Sequence, residues 1–154
     1  MKSNKLNVCI QGLGFVGAAM LANLSTVKNK KNKYIYNIKG IDIGSKEGKR
    51  RIDCINNGKF PFETSDQKLI DAVSSASKSN RIFATDDVTE YSRADIIIID
   101  INFDADEFSI GIKKSRFMTA IRQIANNMRP DIFILIETTV PPGTSEEIII
   151  PEIK

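Results

Sequence analysis

Gly12, Gly14 and Gly17 stand at G-x-G-x-x-G spacing in the run Gln11-Gly12-Leu13-Gly14-Phe15-Val16-Gly17. An apolar run, Leu6 to Ile10, precedes them, and an apolar-periodic segment, Ala18 to Val27, follows. In that strand–turn–helix context the spacing suits a dinucleotide's pyrophosphate. Gly12 lets the chain turn tightly off the strand. Gly14, without a Cβ, lets the backbone approach a phosphate. Gly17 lets the helix pack on the strand. The unpaired N–H groups of the first helical turn and the helix dipole favour the anion. The same spacing also serves a tight turn with no ligand. What favours the ligand is Lys39-Gly40-Ile41-Asp42, a second strand ending in a carboxylate a little over 20 residues further on. An acid there can accept hydrogen bonds from an adenosine ribose.

The chain's 154 residues, 42% hydrophobic and 27% charged, suit one globular domain with a real core. The absence of histidine removes His-based acid–base chemistry and Ser-His-Asp triads from these residues. Cys9 and Cys54 are spaced for neither a metal site nor a disulfide framework, and no metal is expected. Cys9 reads as a small core residue. The net charge of +3 is small, and much of the excess lies in Lys28-Asn29-Lys30-Lys31-Asn32-Lys33. That run reads as a solvated, mobile loop rather than a nucleic-acid patch. No stretch is long enough to span a membrane, no signal-peptide pattern follows Met1, and a cytoplasmic location is expected.

The elements that must position these groups follow from periodicity. Strands are expected over Leu6 to Gln11, Tyr34 to Asp42, Arg81 to Thr85, Asp95 to Ile101 and Asp131 to Thr138. Leu6 to Gln11 and the four-isoleucine strand should be covered on both faces. Helices are expected from Gly14 to about Val27, from Ser45 to about Asn57, from an N-cap at Ser65, and from Ser115 to Met128. Val140-Pro141-Pro142-Gly143-Thr144 reads as a rigid turn, with Thr144 or Ser145 capping a final helix. The alternation predicts an α/β fold with a doubly wound, Rossmann-like parallel sheet in a single domain. Its ligand crevice lies at the strands' carboxyl ends, including Asp100 to Asp104.

Further motifs coincide in order: Gly40-Ile41-Asp42-Ile43, Ile55-Asn56-Asn57-Gly58-Lys59 with Pro61, Ala84-Thr85-Asp86, Ala94-Asp95-Ile96-Ile97, and Ile136-Glu137-Thr138-Thr139-Val140-Pro141-Pro142-Gly143-Thr144. With the glycine turn, they resemble the amino-terminal NAD-binding domain of the UDP-glucose/GDP-mannose (nucleotide-sugar) dehydrogenases across nearly the whole chain. The resemblance implies NAD as cofactor and a nucleotide-sugar substrate. It implies oxidation of a C6 hydroxyl to a carboxylate through two hydride transfers and a thiohemiacetal, in the supply of polysaccharide precursors. Gly12, Gly14, Phe15, Val16 and Gly17 would hold the pyrophosphate, and Asp42 the adenosine ribose. Ile101, Asn102 and Phe103 would flank the cofactor. Thr139 matches the family threonine near the nicotinamide; its alternative is a strand-end hydroxyl bonded to backbone.

The sugar-binding domain, the central helix and the nucleophilic cysteine belong to a later part of such proteins. These 154 residues are therefore expected to bind cofactor without turnover. Homo-oligomerisation is expected of the full-length enzyme. Two departures stand out. Ile101-Asn102-Phe103-Asp104 replaces a Val-Pro-Thr-Pro type segment, and a longer Asp42-to-Gly58 segment leaves Lys46, Lys49, Arg50 and Arg51 as alternative basic neighbours of the ribose. Those cations would suit a 2′-phosphate that Asp42 would repel, which favours NAD over NADP. Alternative readings are the Rossmann domain of a β-hydroxyacid-type dehydrogenase and a stand-alone nucleotide-binding module. Ile148, Ile149 and Ile150 are expected to form an apolar helix face with little to pack on, a route to self-association.

Overall fold

The computed structural model describes residues 5–103 and 116–154. Asp104, the polar loop expected after it, and Ser115 lie outside the described residues. Five parallel strands form one sheet: β1 (Leu6–Gln11), β2 (Tyr36–Ile41), β3 (Ile82–Thr85), β4 (Ile96–Ile99) and β5 (Phe133–Ile136). Their order is β3-β2-β1-β4-β5. The chain winds outward from β1 through β2 to β3, then returns to place β4 on β1's other side. That reversal is the doubly wound topology, and its crevice opens beyond the carboxyl ends of β1 and β4.

Period-two alternation divides the strands between two cores. Val8 and Ile10 of β1 and Ile98 of β4 face one side, packed with Leu21 and Ala22 of α1 (Phe15–Leu24), Ile55 of α2 (Lys46–Asn56) and Val73 of α3 (Gln67–Lys78). Cys9, Ile97 and Ile99 face the other, packed with Tyr91 and with Phe117, Met118, Ile121 and Ile124 of α4 (Arg116–Asn127). The methionine and phenylalanine of α4 are thus core residues.

The elements differ from expectation in places that local chemistry explains. α1 stops at Leu24, because the Ser25 and Thr26 hydroxyls donate back to the carbonyls of Ala22 and Asn23. Asp66, not Ser65, caps α3, its carboxylate accepting from the Lys68 N–H at 2.9 Å. β1 is covered only toward its carboxyl end, with Leu6 exposed. The Lys/Asn run folds as a turn closed by local pairs. Lys28 and Tyr34 pair across it, and the Asn29 side chain accepts from the Lys31 and Lys33 N–H groups.

The Pro142-Gly143 turn leads into a π-helical turn, Ser145–Ile149, and an α-helical one, Ile150–Ile153. Thr144 precedes it without a side-chain cap, and so does not act as the expected N-cap. The isoleucines there do not form a bare face. Ile149 is buried against the α4 side, Ile148 is partly buried with it, and only Ile150 is exposed. The Arg122–Glu152 ion pair, 3.0 Å, ties the segment to α4.

Candidate functional site

The three glycines of the turn have different physical roles. Gly12 sits at φ +97°, and a Cβ there would lie 2.1 Å from the Asp100 carbonyl oxygen. A Cβ at Gly17 would lie 2.0 Å from the Gly12 carbonyl oxygen. These two glycines let the turn close against β4 and α1 close against the turn. Gly14 has nothing within 4 Å of where its Cβ would be and caps α1 with no side-chain bond. Its open surface, beside N–H groups of Phe15 and Val16 that have no partner within the helix, is a cradle a Cβ would obstruct. The Phe15 and Val16 side chains are themselves exposed. Phe15 packs on Phe60 and Phe62, with ring centroids 5.6 and 5.7 Å away. The irregular Phe60-Pro61-Phe62 stretch thereby braces the turn.

Asp42 follows β2 and is buried, at 7% exposure. Arg51 reaches it from α2 in a two-pronged pair, Nε to Oδ2 at 2.7 Å and Nη2 to Oδ1 at 3.2 Å. The Ile43 N–H donates to Oδ1 at 2.8 Å. Three donors fix the carboxylate and leave it further acceptor capacity for a ribose hydroxyl. Of the four basic candidates, then, Arg51 is the one set at the carboxylate. Arg50 turns to Glu47 and the Pro61 carbonyl. A cavity of about 130 Å³ beside Asp42 is lined by Gln11, Ile41, Ile43, Gly44, Asp86, Val88 and Gln123. Lys46, Lys49, Arg50 and Lys59 line an open cavity of about 620 Å³ along α2.

At the ends of β4 and β5, the Thr138 hydroxyl donates to the Ile101 carbonyl at 2.7 Å and accepts from the Ile101 N–H at 3.0 Å. The backbone-bonding role considered for Thr139 therefore belongs to Thr138, and Thr139 is exposed. Ile101 packs in the α4-side core, as does Phe103, edge-to-face on Phe117 at 5.2 Å; Asn102 is exposed. Asp100 lies against the glycine turn, its Oδ2 3.0 Å from where a Cβ on Gly17 would sit. Burial pushes its acid up from the usual range, against the pull of the nearby Gly17 backbone N–H, and the Glu137 carboxylate adds to the rise.

Under the turn, the Tyr91 hydroxyl donates to the Gln11 side-chain oxygen, and both are buried. Burial pushes the Cys9 thiol up to about 12, so it stays a neutral core group. Among the described residues no cluster of three or more His, Cys, Asp or Glu could hold a metal, and no helix is long and apolar enough to cross a membrane.

Sequence reasoning left Arg51 among four candidates, placed Asp100 in the crevice without giving it a role, and missed Gln11 and Gln123 as site residues. Asp100 had a signal, an acid ending a run of four isoleucines. Gln123 had none, since it reaches the cavity only through the packing of α4.

An open cradle at a helix N-terminus, with an anchored carboxylate at the end of the adjacent strand, fits a dinucleotide. Comparison with known proteins agrees. Residues 6–154 match the profile described as UDP-glucose/GDP-mannose dehydrogenase family, NAD binding domain. The UDP-N-acetyl-D-mannosamine dehydrogenase of Methanococcus maripaludis strain S2 is 31% identical over 147 residues, 92% of this chain and 30% of that protein. UDP-glucose 6-dehydrogenase 5 of Oryza sativa subsp. japonica is 26% identical, over 93% of this chain and 28% of its own length. The chain thus spans under a third of these relatives. A GDP-mannose dehydrogenase ternary complex from Pseudomonas aeruginosa superposes with a TM-score of 0.74 and 26% identity, covering 95% of this chain and 31% of its own. With profile, relatives and site geometry in agreement, the chain belongs to the UDP-glucose/GDP-mannose dehydrogenase family as its NAD-binding domain.

Proposed function

We propose that the chain is the cofactor-binding part of an enzyme that oxidises the C6 hydroxyl of a UDP-sugar to a carboxylate, supplying precursors for polysaccharide. The observation that carries this reading is the anchored Asp42 at the end of β2, next to an unobstructed Gly14 cradle. NAD, when bound, supplies the hydride acceptor. Gly14, Phe15 and Val16 offer the pyrophosphate their backbone N–H groups and the positive end of α1. Gly12 and Gly17 keep that turn closed. Asp42 accepts from the adenosine ribose, and Arg51 keeps its carboxylate aimed. Ile101, Asn102 and Phe103 form the wall at the end of β4. Exposed Thr139 is available to a substrate approaching from the β5 side, in a supporting catalytic role.

The sugar-binding and central-helix parts of the enzyme are assigned to sequence beyond these residues, and the whole enzyme to a homo-oligomer. The UDP-sugar is inferred from the names of the curated relatives. Free thiols at Cys9 and Cys54 suit a cytoplasmic setting. The family match leaves the β-hydroxyacid alternative without support.

Calorimetric titration with NAD+ and with NADP+ tests the reading. Saturable NAD+ binding is expected, weakened about tenfold or more in Asp42→Ala, since a lost charge-assisted hydrogen bond is worth ~1.5–3 kcal/mol. NADP+ binding tighter than NAD+, or NAD+ affinity unchanged by the substitution, would overturn the role given to Asp42.

A further inference from the structure

The N-terminus of α1 already has an anion of the protein's own beside it. Asp100, the residue after β4, lies with its backbone carbonyl against Gly12, and its Oδ2 is 3.0 Å from where a Cβ on Gly17 would sit. The Gly17 backbone N–H favours the ionised form of this carboxylate. Gly17 is the third residue of α1, so the carboxylate lies beside the first-turn N–H groups available to a pyrophosphate. The glycine turn and α1 contain no charged residue. From β5, the charged group facing Asp100 is another carboxylate, Glu137.

We propose that Asp100 is a built-in competitor of the cofactor's pyrophosphate, so that the chain binds the dinucleotide more tightly when Asp100 is protonated than when it is ionised. The inference rests on the cofactor reading above and adds a residue that opposes binding rather than supporting it. The physical cause is like charge. The pyrophosphate is to be held at the same helix end, and in a partly desolvated turn the repulsion is only partly screened. Protonation removes the repulsion. Burial and Glu137 both favour the protonated form, which moves this change up from the usual carboxylate range.

The test is NAD+ titration of the 154-residue chain and of Asp100→Asn from pH 4.5 to 8, with thermal melts to establish that both are folded. Asparagine keeps the size of the side chain and removes the charge. Asp100→Asn is expected to bind NAD+ roughly five- to tenfold more tightly at pH 7.5, a Coulombic effect at an effective dielectric well above that of a dry interior. Wild-type affinity should rise toward acid pH until the two converge, while the variant stays flat. Asp100→Ser, also uncharged, should share the tighter binding. Equal affinities and parallel pH profiles for all three proteins would overturn the inference and leave the cofactor reading standing. Absence of NAD+ binding to any of them at any pH would overturn both.

Discussion

At the scale of single residues, the glycine turn separates what folds the chain from what binds its ligand. Gly17→Ala would push a methyl group to 2.0 Å from a backbone oxygen that cannot swing aside. It is expected to cost about 3 kcal/mol of stability. Gly14→Ala meets open space at φ −59°, which any residue adopts. Alanine is a poorer N-cap than glycine, so the variant's stability should fall by only about 0.5–1 kcal/mol. NAD+ affinity should nevertheless fall about tenfold, equivalent to 1.4 kcal/mol. Denaturant melts and NAD+ titration of both variants check this. A Gly14→Ala variant that binds as well as the wild type would show that the phosphates do not approach there. The same distinction applies to the hydroxyls at the end of β5, where Thr138 closes the β4–β5 end and Thr139 is left exposed.

At the scale of elements, Arg81 stitches together three pieces distant in sequence. It was expected to open the third strand, but β3 begins at Ile82 and Arg81 is buried before it. Its guanidinium lies 3.6 Å from the centre of the Tyr34 ring. It donates to the Ser25 carbonyl after α1, and to the Ser79 and Ser75 hydroxyls at the end of α3 at 2.8 and 3.2 Å. Neutral acceptors, a ring face and the negative end of α3 thus solvate a buried cation. Arg81→Met keeps much of the stem but removes every one of these interactions. It is expected to lower stability by about 2–4 kcal/mol. Denaturant unfolding measures this, and a loss under about 0.5 kcal/mol would mean that the Tyr34 turn and α3 hold without it.

At the scale of the whole molecule, cofactor binding and folding are linked. The proposed site draws on the ends of β1, β2, β4 and β5, which come together only when the sheet is assembled. NAD+ should therefore bind the native chain and not the unfolded one. At 100 times its Kd, NAD+ should add about 2.7 kcal/mol. For a domain of this size that raises the melting temperature by about 5–10 °C. Differential scanning calorimetry with and without NAD+ checks it, and an unchanged melt at saturating NAD+ would contradict the linkage.

The strand–turn–helix around Gly12, the parallel α/β class and the core stripe of α4 were legible in the sequence because they depend on local rules. These are glycine spacing and period-two and period-3.6 hydrophobicity. The carboxylate ending β2 was legible for the same reason. Tertiary structure alone decided the partners. Arg51 rather than Lys46, Lys49 or Arg50 meets Asp42, because the rotation of α2 on the sheet selects which side chain points inward. Ile149 found a core that sequence could not supply, since α4 lies more than 20 residues away. Asp100 came to the glycine turn because β4 pairs with β1 after the winding direction reverses. Composition and periodicity describe each element's own faces. Which charges and side chains meet across elements depends on packing, and packing is a property of the assembled sheet.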